Sequence, residues 1–344
     1  MLTIREDPTI VLETGGSEYV RAVAFHPDGM HLWGGSSNSI RRWQLADGRV
    51  VGKKTGMKVL AISVSKDGKC VVCGTREGGA SVWDAELHKK VINVEGTNWT
   101  WAVDISPDST RIATGTDHRE ASIWNITSGE RLVGPLIHAR QVTGIRFSPN
   151  GEQVATCCES GSVRIFDSRN GDQLIDIKTI TPSAMPITPI AWSNDGEQIF
   201  TISDDKVKSF AVSTGSQLAE SPVLNHDRSL SLAGNGKFIA TATDPAISFL
   251  DTSSLTKIGT VNAIDDSKGI WSIAISSDGS RIAAGRRDGK IIIYNLANLL
   301  PLHVSICPFI MLACRITTIT CRRVTLGVCS WGTTTRRAFS IRWP

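Results

Sequence analysis

The fold is decided by a recurring stretch, Ile145–Asp167, which reads IRFSPNGEQVATCCESGSVRIFD. Apolar and polar residues alternate in Ile145–Phe147 and again in Val163–Phe166, as they do in half-buried β-strands. Between these segments, Ser148–Gly151 reads Ser-Pro-Asn-Gly, a turn in which the proline restricts φ and the glycine accepts the positive φ that follows. The stretch therefore predicts a strand, a tight turn and two further strands.

The same unit occurs six more times along the chain. Its turn recurs at His26–Gly29, Ser65–Gly68, Ser106–Ser109, Ser193–Gly196, Ala233–Gly236 and Ser276–Gly279. The closing strands reach Trp43, Trp83, Trp124, Phe166, Phe210, Leu250 and Tyr294, which are 40, 41, 42, 44, 40 and 44 residues apart. This period is typical of four-stranded propeller blades, and seven blades fall within the usual range for a closed ring. The sequence predicts an all-β, seven-bladed β-propeller of antiparallel blades.

Several motifs resemble those of the WD-repeat β-propeller family over about residues 9–296. Trp83-Asp84 is an intact Trp-Asp pair, while Trp124-Asn125 and Phe166-Asp167 are near versions of it. His138 resembles the family's histidine before the inner strand. The family's turn aspartate is matched by Asp204, Asp244 and Asp288 and replaced by Ser37, Glu77, His118 and Ser160. The resemblance implies that the family's buried His–Asp–Ser–Trp hydrogen-bond network is mostly incomplete here.

The resemblance also sets the expected domain boundaries. In the family, a strand from the N-terminus completes the last blade, and Thr9–Glu13 is expected to do so here. Closing the ring in this way removes exposed sheet edges. We therefore expect a flexible segment at residues 1–8, the propeller at 9–296 and a non-repeat tail at 297–344.

The charge of the chain is unevenly distributed. Residues 297–344 contain six arginines and no Lys, Asp or Glu, so they contribute +6 to the net charge of +4. The remainder of the chain therefore carries −2. A body near neutrality offers no general field for nucleic acid, which makes nucleic-acid binding the least favoured function.

The tail allows three interpretations. Residues 299–314 are mostly apolar but are broken by Pro301, His303 and Pro308, and they fall short of the roughly 20 residues of a spanning helix. The favoured interpretation is a disordered or aberrant end. An extra strand pair and membrane contact through residues 299–323 are the alternatives.

Cysteine usage and the N-terminus predict a cytoplasmic protein, with the nucleus as the alternative. Met1–Asp7 contains no apolar signal segment. Cys70, Cys73, Cys157 and Cys158 lie in strand segments without disulfide spacing, which indicates reduced thiols. Cys70 and Cys73 form a CxxC pattern, but in a strand their side chains face opposite sides, which favours packing over metal or redox use.

No motif indicates catalysis. The chain lacks GxSxG, P-loop, GxGxxG and HExxH patterns. No metal spacing is shown by the seven histidines, His26, His31, His88, His118, His138, His226 and His303. Most Asp and Glu residues occupy turns, where they bond to their own backbone. We therefore expect no catalytic residue, no cofactor and no metal.

The candidate binding residues come from the register of the repeat. In the family, partner peptides often contact the channel mouth near the start of each inner strand. Counting five residues back from each turn places Arg21, Leu60, Trp101, Thr143, Thr188, Arg228 and Trp271 there, with Tyr19 and Trp99 two positions before two of them. Tyr19, Arg21, Trp99, Trp101, Arg228 and Trp271 are the candidate partner-binding residues, because Trp, Tyr and Arg dominate binding hot spots.

Two interpretations of the tryptophans remain open. Trp43, Trp83, Trp124 and Trp192 are expected to pack between blades. Trp99, Trp101 and Trp271 form either an exposed patch or further inter-blade packing, and Trp101 shares a strand face with Val103 and Ile105.

The sequence thus favours a non-catalytic scaffold that docks protein partners on the propeller faces, as a monomeric propeller within a larger complex. The alternatives are an enzyme or small-ligand binder using the central channel, and membrane association through residues 299–323.

Overall fold

The computed structural model describes residues 3–4, 8–14, 19–86, 89–94, 96, 98–178, 189–224, 229–232, 236–242, 246–262 and 269–298. These residues form seven sheets of four antiparallel strands, with one additional short strand on the sixth. The inner strands of successive blades lie side by side, and that of blade 7 lies beside that of blade 1, which closes the ring. The predicted seven-bladed propeller is confirmed.

Each blade runs from the inner strand at the channel to the outer strand at the rim. The inner strands of blades 1 to 7 are Val20–Phe25, Val59–Val64, Thr100–Ile105, Val142–Phe147, Ile190–Trp192, Ser229–Leu232 and Ile270–Ile275. The second strands are His31–Ser36, Cys70–Thr75, Arg111–Thr116, Gln153–Cys158, Gln198–Ser203, Phe238–Ala242 and Arg281–Arg286. The third strands are Ile40–Gln44, Ala80–Asp84, Glu120–Asn125, Ser162–Asp167, Lys206–Ala211, Ala246–Asp251 and Lys290–Asn295.

The outer strands of blades 1 to 6 are Val50–Thr55, Lys90–Val94, Arg131–Ile137, Gln173–Lys178, Gln217–Glu220 and Lys257–Asn262. Blade 7 takes its outer strand, Ile10–Glu13, from the start of the chain. It pairs antiparallel with Lys290–Asn295, with Leu12 opposite Ile291. The expected closure of the ring by the N-terminal strand is therefore observed.

Both chain ends differ in detail from the expected boundaries. Thr3–Ile4 lie in the segment expected to be flexible, but they form a short strand parallel to the outer strand of blade 6. The unpaired backbone groups of an outer edge provide the partners for such a strand. After blade 7, Leu296–Asn298 form one turn of 3-10 helix, and Leu296 is fully buried. The remainder of the tail, residues 299–344, lies outside the described residues.

The core of the described chain consists of apolar clusters between neighbouring blades. The cluster between blades 7 and 1, for example, contains Leu12 and Trp43, and the cluster between blades 4 and 5 contains Trp192. Trp83 and Trp124 pack against the clusters between blades 1 and 2 and between blades 2 and 3. The four tryptophans expected between blades are therefore found there.

Glycines in the second strands allow neighbouring blades to approach closely. A Cβ atom on Gly35 would lie 2.5 Å from Cγ1 of Val59 in blade 2, and one on Gly285 would lie 2.7 Å from Cγ1 of Val20 in blade 1. Real Cβ atoms do not approach other atoms so closely, so a side chain at either position would push the blades apart.

The CxxC cysteines pack on opposite sides of blade 2. Cys73 is buried in the cluster between blades 1 and 2, whereas Cys70 packs against the cluster between blades 2 and 3. Both are free thiols, as are Cys157 and Cys158. Burial raises the pKa of the Cys73 thiol, so it behaves as an apolar core group.

The hydrogen-bond network expected from the family is present only in parts. In blade 4, His138 donates from Nδ1 to the carbonyl of Leu136 at 2.9 Å, and its Nε2 lies 2.8 Å from the Thr156 hydroxyl. Phe166 packs edge-on against the imidazole where the network would have tryptophan. In blade 3, Trp124 donates to Thr114 at 2.9 Å. Residues 225–228, including His226, and residues 243–245, including Asp244, lie outside the described residues.

Leu12 provides a direct test of ring closure, since it is buried to 2% exposure while its neighbour Val11 is 48% exposed. We expect Leu12→Ala to lower the free energy of unfolding by about 2–5 kcal/mol, because it leaves a cavity between blades 7 and 1. Val11→Ala is the matched control on the same strand. Chemical denaturation measures both variants, and deletion of residues 1–15 should lower the melting temperature further. An unchanged melting temperature after that deletion would show that the strand does not close the ring.

His138 makes stability depend on pH. Burial lowers the pKa of His138 to about 4, whereas histidine in an unfolded chain titrates near 6.5. The stability contributed by neutral His138 is therefore complete above about pH 6.5 and is lost as the pH falls towards 4. We expect the folded state to lose about 2 kcal/mol between pH 7 and pH 5 through this residue. Denaturation of the parent and of His138→Gln at both pH values checks this, since the variant should show a smaller loss.

Candidate functional site

The starts of the inner strands converge on a central channel. A cavity of about 130 Å³ is lined there by inner-strand residues of blades 1, 2, 3, 4, 5 and 7. Its walls include the predicted ring residues Arg21, Leu60, Trp101, Thr143 and Trp271. Thr188 and Arg228, the other two residues of that ring, lie outside the described residues. The register counted from the turns thus brings five predicted residues to one channel.

On blades 7 and 1, aromatic rings and guanidinium groups stack at the channel mouth. The rings of Tyr19 and Trp271 lie 6.0 Å apart between centroids and are nearly parallel, at 18°. Cζ of Arg21 lies 5.2 Å from the centroid of the Trp271 ring, and Cζ of Arg287 lies 5.3 Å from it. Tyr19 is 43% exposed. We call Tyr19, Arg21, Trp271 and Arg287 the first aromatic cluster.

A second aromatic cluster, Arg76, Trp99 and Trp101, lies on blades 2 and 3. The two indoles meet edge-on, with centroids 5.4 Å apart and an interplanar angle of 61°. Cζ of Arg76 lies 4.0 Å from the centroid of Trp99. The buried indole N–H of Trp101 has no hydrogen-bond acceptor among the described residues. A buried donor without an acceptor costs the folded state free energy.

Arg76 and Arg287 were not among the predicted site residues. Each follows the second strand of its blade, and its backbone N–H donates to the residue before the inner strand. Arg76 donates to the carbonyl of Lys58 at 2.9 Å, and Arg287 donates to that of Gly269 at 3.1 Å. These bonds hold the loop against the channel mouth. An arginine directly after the second strand is the sequence signal that could have identified both residues.

The guanidinium groups form a positive arc across blades 7, 1 and 2. Burial lowers the pKa of Arg21, and the nearby charge of Arg76 lowers it further, while Tyr19 acts in the opposite direction. Within the described ranges, none of Arg21, Arg76 and Arg287 forms an ion pair with a carboxylate, whereas the neighbouring Lys58 and Arg286 pair with Glu77 and Asp288. The three cations therefore remain available to an external acidic or carbonyl group.

The tryptophans at the mouth differ from those between the blades. Trp99, Trp101 and Trp271 are half-buried, and in the part of the chain that the structure describes they belong to no apolar core cluster. Trp43, in contrast, is 1% exposed and lies in the cluster between blades 7 and 1. These three side chains thus keep a partly exposed surface that Trp43 lacks.

Deeper in the molecule, Asp104 joins three blades. Its Oδ1 accepts a hydrogen bond of 3.0 Å from the Ser63 hydroxyl, and its Oδ2 accepts one of 2.9 Å from the backbone N–H of Phe147. Arg146 lies 3.6 Å from the same carboxylate. Burial raises the pKa of Asp104, opposed by the charge of Arg146 and by these hydrogen bonds. Because its two oxygens accept hydrogen bonds from Ser63 in blade 2 and Phe147 in blade 4, Asp104 connects these blades to blade 3.

Comparisons with known proteins identify the family. Residues 11–246 match the family described as nucleolar protein 10-like, N-terminal domain. This chain belongs to that family. Residues 257–295 match the WD domain, G-beta repeat. Together the two matches confirm the WD-repeat β-propeller resemblance, and proteins with such propellers typically act as protein-interaction scaffolds.

Curated relatives are distant and most are longer. The chain is 27% identical over 187 residues to angio-associated migratory cell protein of Homo sapiens, a match that covers 53% of this chain and 42% of the relative. It is 21% identical over 281 residues to intraflagellar transport protein 122 homolog of Danio rerio, covering 80% of this chain and 23% of the relative. It is 23% identical over 260 residues to guanine nucleotide-binding protein subunit beta-like protein of Encephalitozoon cuniculi, covering 68% and 77%. The chain therefore spans less than half the length of the first two.

The stability of variants distinguishes the tryptophans at the channel mouth from those packed between blades. We expect Trp99→Ala and Trp271→Ala to lower the free energy of unfolding by about 1–2 kcal/mol, because each loses aromatic and cation–π contacts of a half-buried ring but leaves no cavity in a core cluster. Trp43→Ala should lower it by about 3–5 kcal/mol, because it empties the core between two blades. Urea denaturation of the three variants checks this. Equal losses of unfolding free energy in the three variants would support the packing interpretation for the tryptophans at the channel mouth.

Proposed function

We propose that this protein is a non-catalytic scaffold that docks a peptide segment of a protein partner on the channel mouth. The observation that carries the proposal is the pairing of half-buried tryptophans with guanidinium groups that have no carboxylate partner among the described residues. Aromatic and arginine side chains in such sites supply most of the binding free energy at protein interfaces. The rigid blades hold them in place, which lowers the ordering cost of binding.

The chemistry of the two clusters describes the partner segment. An apolar side chain of the partner would pack on Trp101 and Trp271. Acidic groups would lie over Arg21, Arg76 and Arg287, and Arg228 remains a proposed member of the same site. We expect the partner to present an acidic segment with one or two apolar anchors.

The geometry of the channel gives less support to the alternative functions, an enzyme or a small-ligand binder. A cavity of about 130 Å³ is smaller than the roughly 300–1,000 Å³ of ordinary ligand pockets, and the carboxylate of Asp104 is engaged on both oxygens. Within the described ranges the structure contains no helix with the length and apolar character that a membrane crossing requires. The segment 299–323, on which the membrane alternative depends, lies outside those ranges.

We also propose that the protein works in the nucleus. The name of its family, nucleolar protein 10-like, supports this location. The cytoplasmic location expected from the cysteines and the N-terminus has no comparable support from the related proteins. The guanine nucleotide-binding protein subunit beta-like relative is consistent with a scaffold that assembles with other proteins.

Affinity purification from separate nuclear and cytosolic extracts tests the proposal. We expect the full chain to recover partners from the nuclear extract, and the double variant Trp101→Ala, Trp271→Ala to lose them because the apolar anchors are gone. Leu132→Ala with Leu174→Ala is the matched control, since both leucines are about half exposed, at 48% and 47%, on outer strands. Quantitative mass spectrometry measures recovery.

Either of two outcomes would contradict the proposal. If the tryptophan double variant recovers every partner as well as the parent does, the channel mouth is not the docking site. If partners are recovered from the cytosolic extract alone, the nuclear location is wrong.

A further inference from the structure

Three potential metal ligands meet at the first turn of blade 1. The inner strand of this blade begins beside Arg21 and ends at Phe25, so His26, Asp28 and His31 lie on the propeller face opposite the channel mouth. Their ligand atoms all lie within 4.8 Å of one another. Nδ1 of His26 is 3.0 Å from Oδ2 of Asp28, and Nδ1 of His31 is 2.7 Å from the same oxygen.

This turn departs from the repeat at both histidines. In the equivalent turns of blades 2, 3, 4, 5 and 7 the first residue is serine, and its hydroxyl bonds to the Asp or Asn two residues later. In blade 1 an imidazole replaces that hydroxyl, and a second imidazole stands five residues further on. Spacing along the chain indicated no metal site because the ligands meet only when the turn folds.

The imidazole of His26 is held in one orientation by blade 2. Its Nε2 lies 2.9 Å from the carbonyl oxygen of Gly68. Since a carbonyl oxygen only accepts, Nε2 carries the proton of this bond. A Cβ atom on Gly68 would lie 2.8 Å from Cε1 of the ring, so the ring lies directly against the glycine. Nδ1 is thereby directed to Asp28.

The carboxylate of Asp28 is oriented as well. Its Oδ1 accepts from the backbone N–H groups of Met30 at 2.7 Å and His31 at 3.1 Å. Oδ2 therefore faces both imidazoles. Nδ1 of His26 lies 3.0 Å from this oxygen and also accepts a long hydrogen bond of 3.3 Å from the backbone N–H of Asp28, which a bound metal would replace.

We propose that Nδ1 of His26, the carboxylate of Asp28 and Nδ1 of His31 bind a divalent transition metal of the zinc type. Two imidazoles and one carboxylate are a common zinc donor set, with bonds of about 2.0–2.2 Å, and a fourth position remains for water or a partner's side chain. The bond from His26 Nε2 to the Gly68 carbonyl is the outer-shell contact that ligating histidines usually make. The site is independent of the proposed docking site.

Zinc titration of the tag-free full chain tests the proposal by isothermal calorimetry. The cysteines can also bind zinc, so the decisive quantity is the difference between variants. We expect His31→Gln and Asp28→Asn each to lose one equivalent of Zn²⁺, or to bind it at least about 10-fold more weakly, since even outer-shell substitutions at metal sites cost about 10–100-fold. His118→Gln, an exposed histidine outside the cluster, should bind as the parent does.

Thermal melting separates metal binding from folding. Without zinc, we expect parent and variants to melt at similar temperatures, and zinc should raise the melting temperature of the parent more than that of His31→Gln. Equal numbers of zinc equivalents and equal affinities in parent and His31→Gln would overturn the proposal. A His26 imidazole that keeps protons on both nitrogens in saturating zinc, measured by nitrogen NMR, would overturn it as well.

Discussion

The structure depends on the burial of apolar faces between neighbouring blades. A four-stranded blade presents apolar side chains on both faces, and no blade can bury them alone. The ring solves this only if it closes, and closure requires a strand near the N-terminus, Ile10–Glu13, to complete the last blade. Leu12 contributes from that strand to the cluster between blades 7 and 1, so the two ends of the repeat region are stabilised together.

Several arginines reinforce this packing from the sides of the blades. Arg42 donates to the carbonyl of Ala85 in blade 2, and Arg111 donates to Ser168 and Gly151 in blade 4. The arginines at the channel mouth have a different environment. Arg21, Arg76 and Arg287 lie over aromatic rings, where a cation–π contact is worth only about 0.5–1 kcal/mol at an exposed site. These three charges have no carboxylate partner among the described residues, so they are available to the proposed docking partner.

The same rigid ring presents two faces of different chemistry. One carries half-buried tryptophans and guanidinium groups at the starts of the inner strands. The other carries the turns, where His26, Asp28 and His31 converge in blade 1. Because each inner strand crosses the ring from one face to the other, the two sites are separated by packed β-structure. The proposed partner on one face and the proposed metal on the other would therefore bind without direct contact.

The sequence by itself determined the number of blades, the closing strand and the register that brings Arg21, Trp101 and Trp271 to the channel. The number of blades and the register follow from a repeated turn and a period of two in strands, both of which are local properties of the chain. The closing strand and the place of these residues at the channel were expected from the resemblance to the WD-repeat family. Only the tertiary structure decided that Arg76 and Arg287 join the aromatic clusters, that Asp104 ties three blades together, and that His26 and His31 share one carboxylate. The reason is physical: the first two sets of contacts join residues of different strands or blades, and the third forms only when the turn of blade 1 folds.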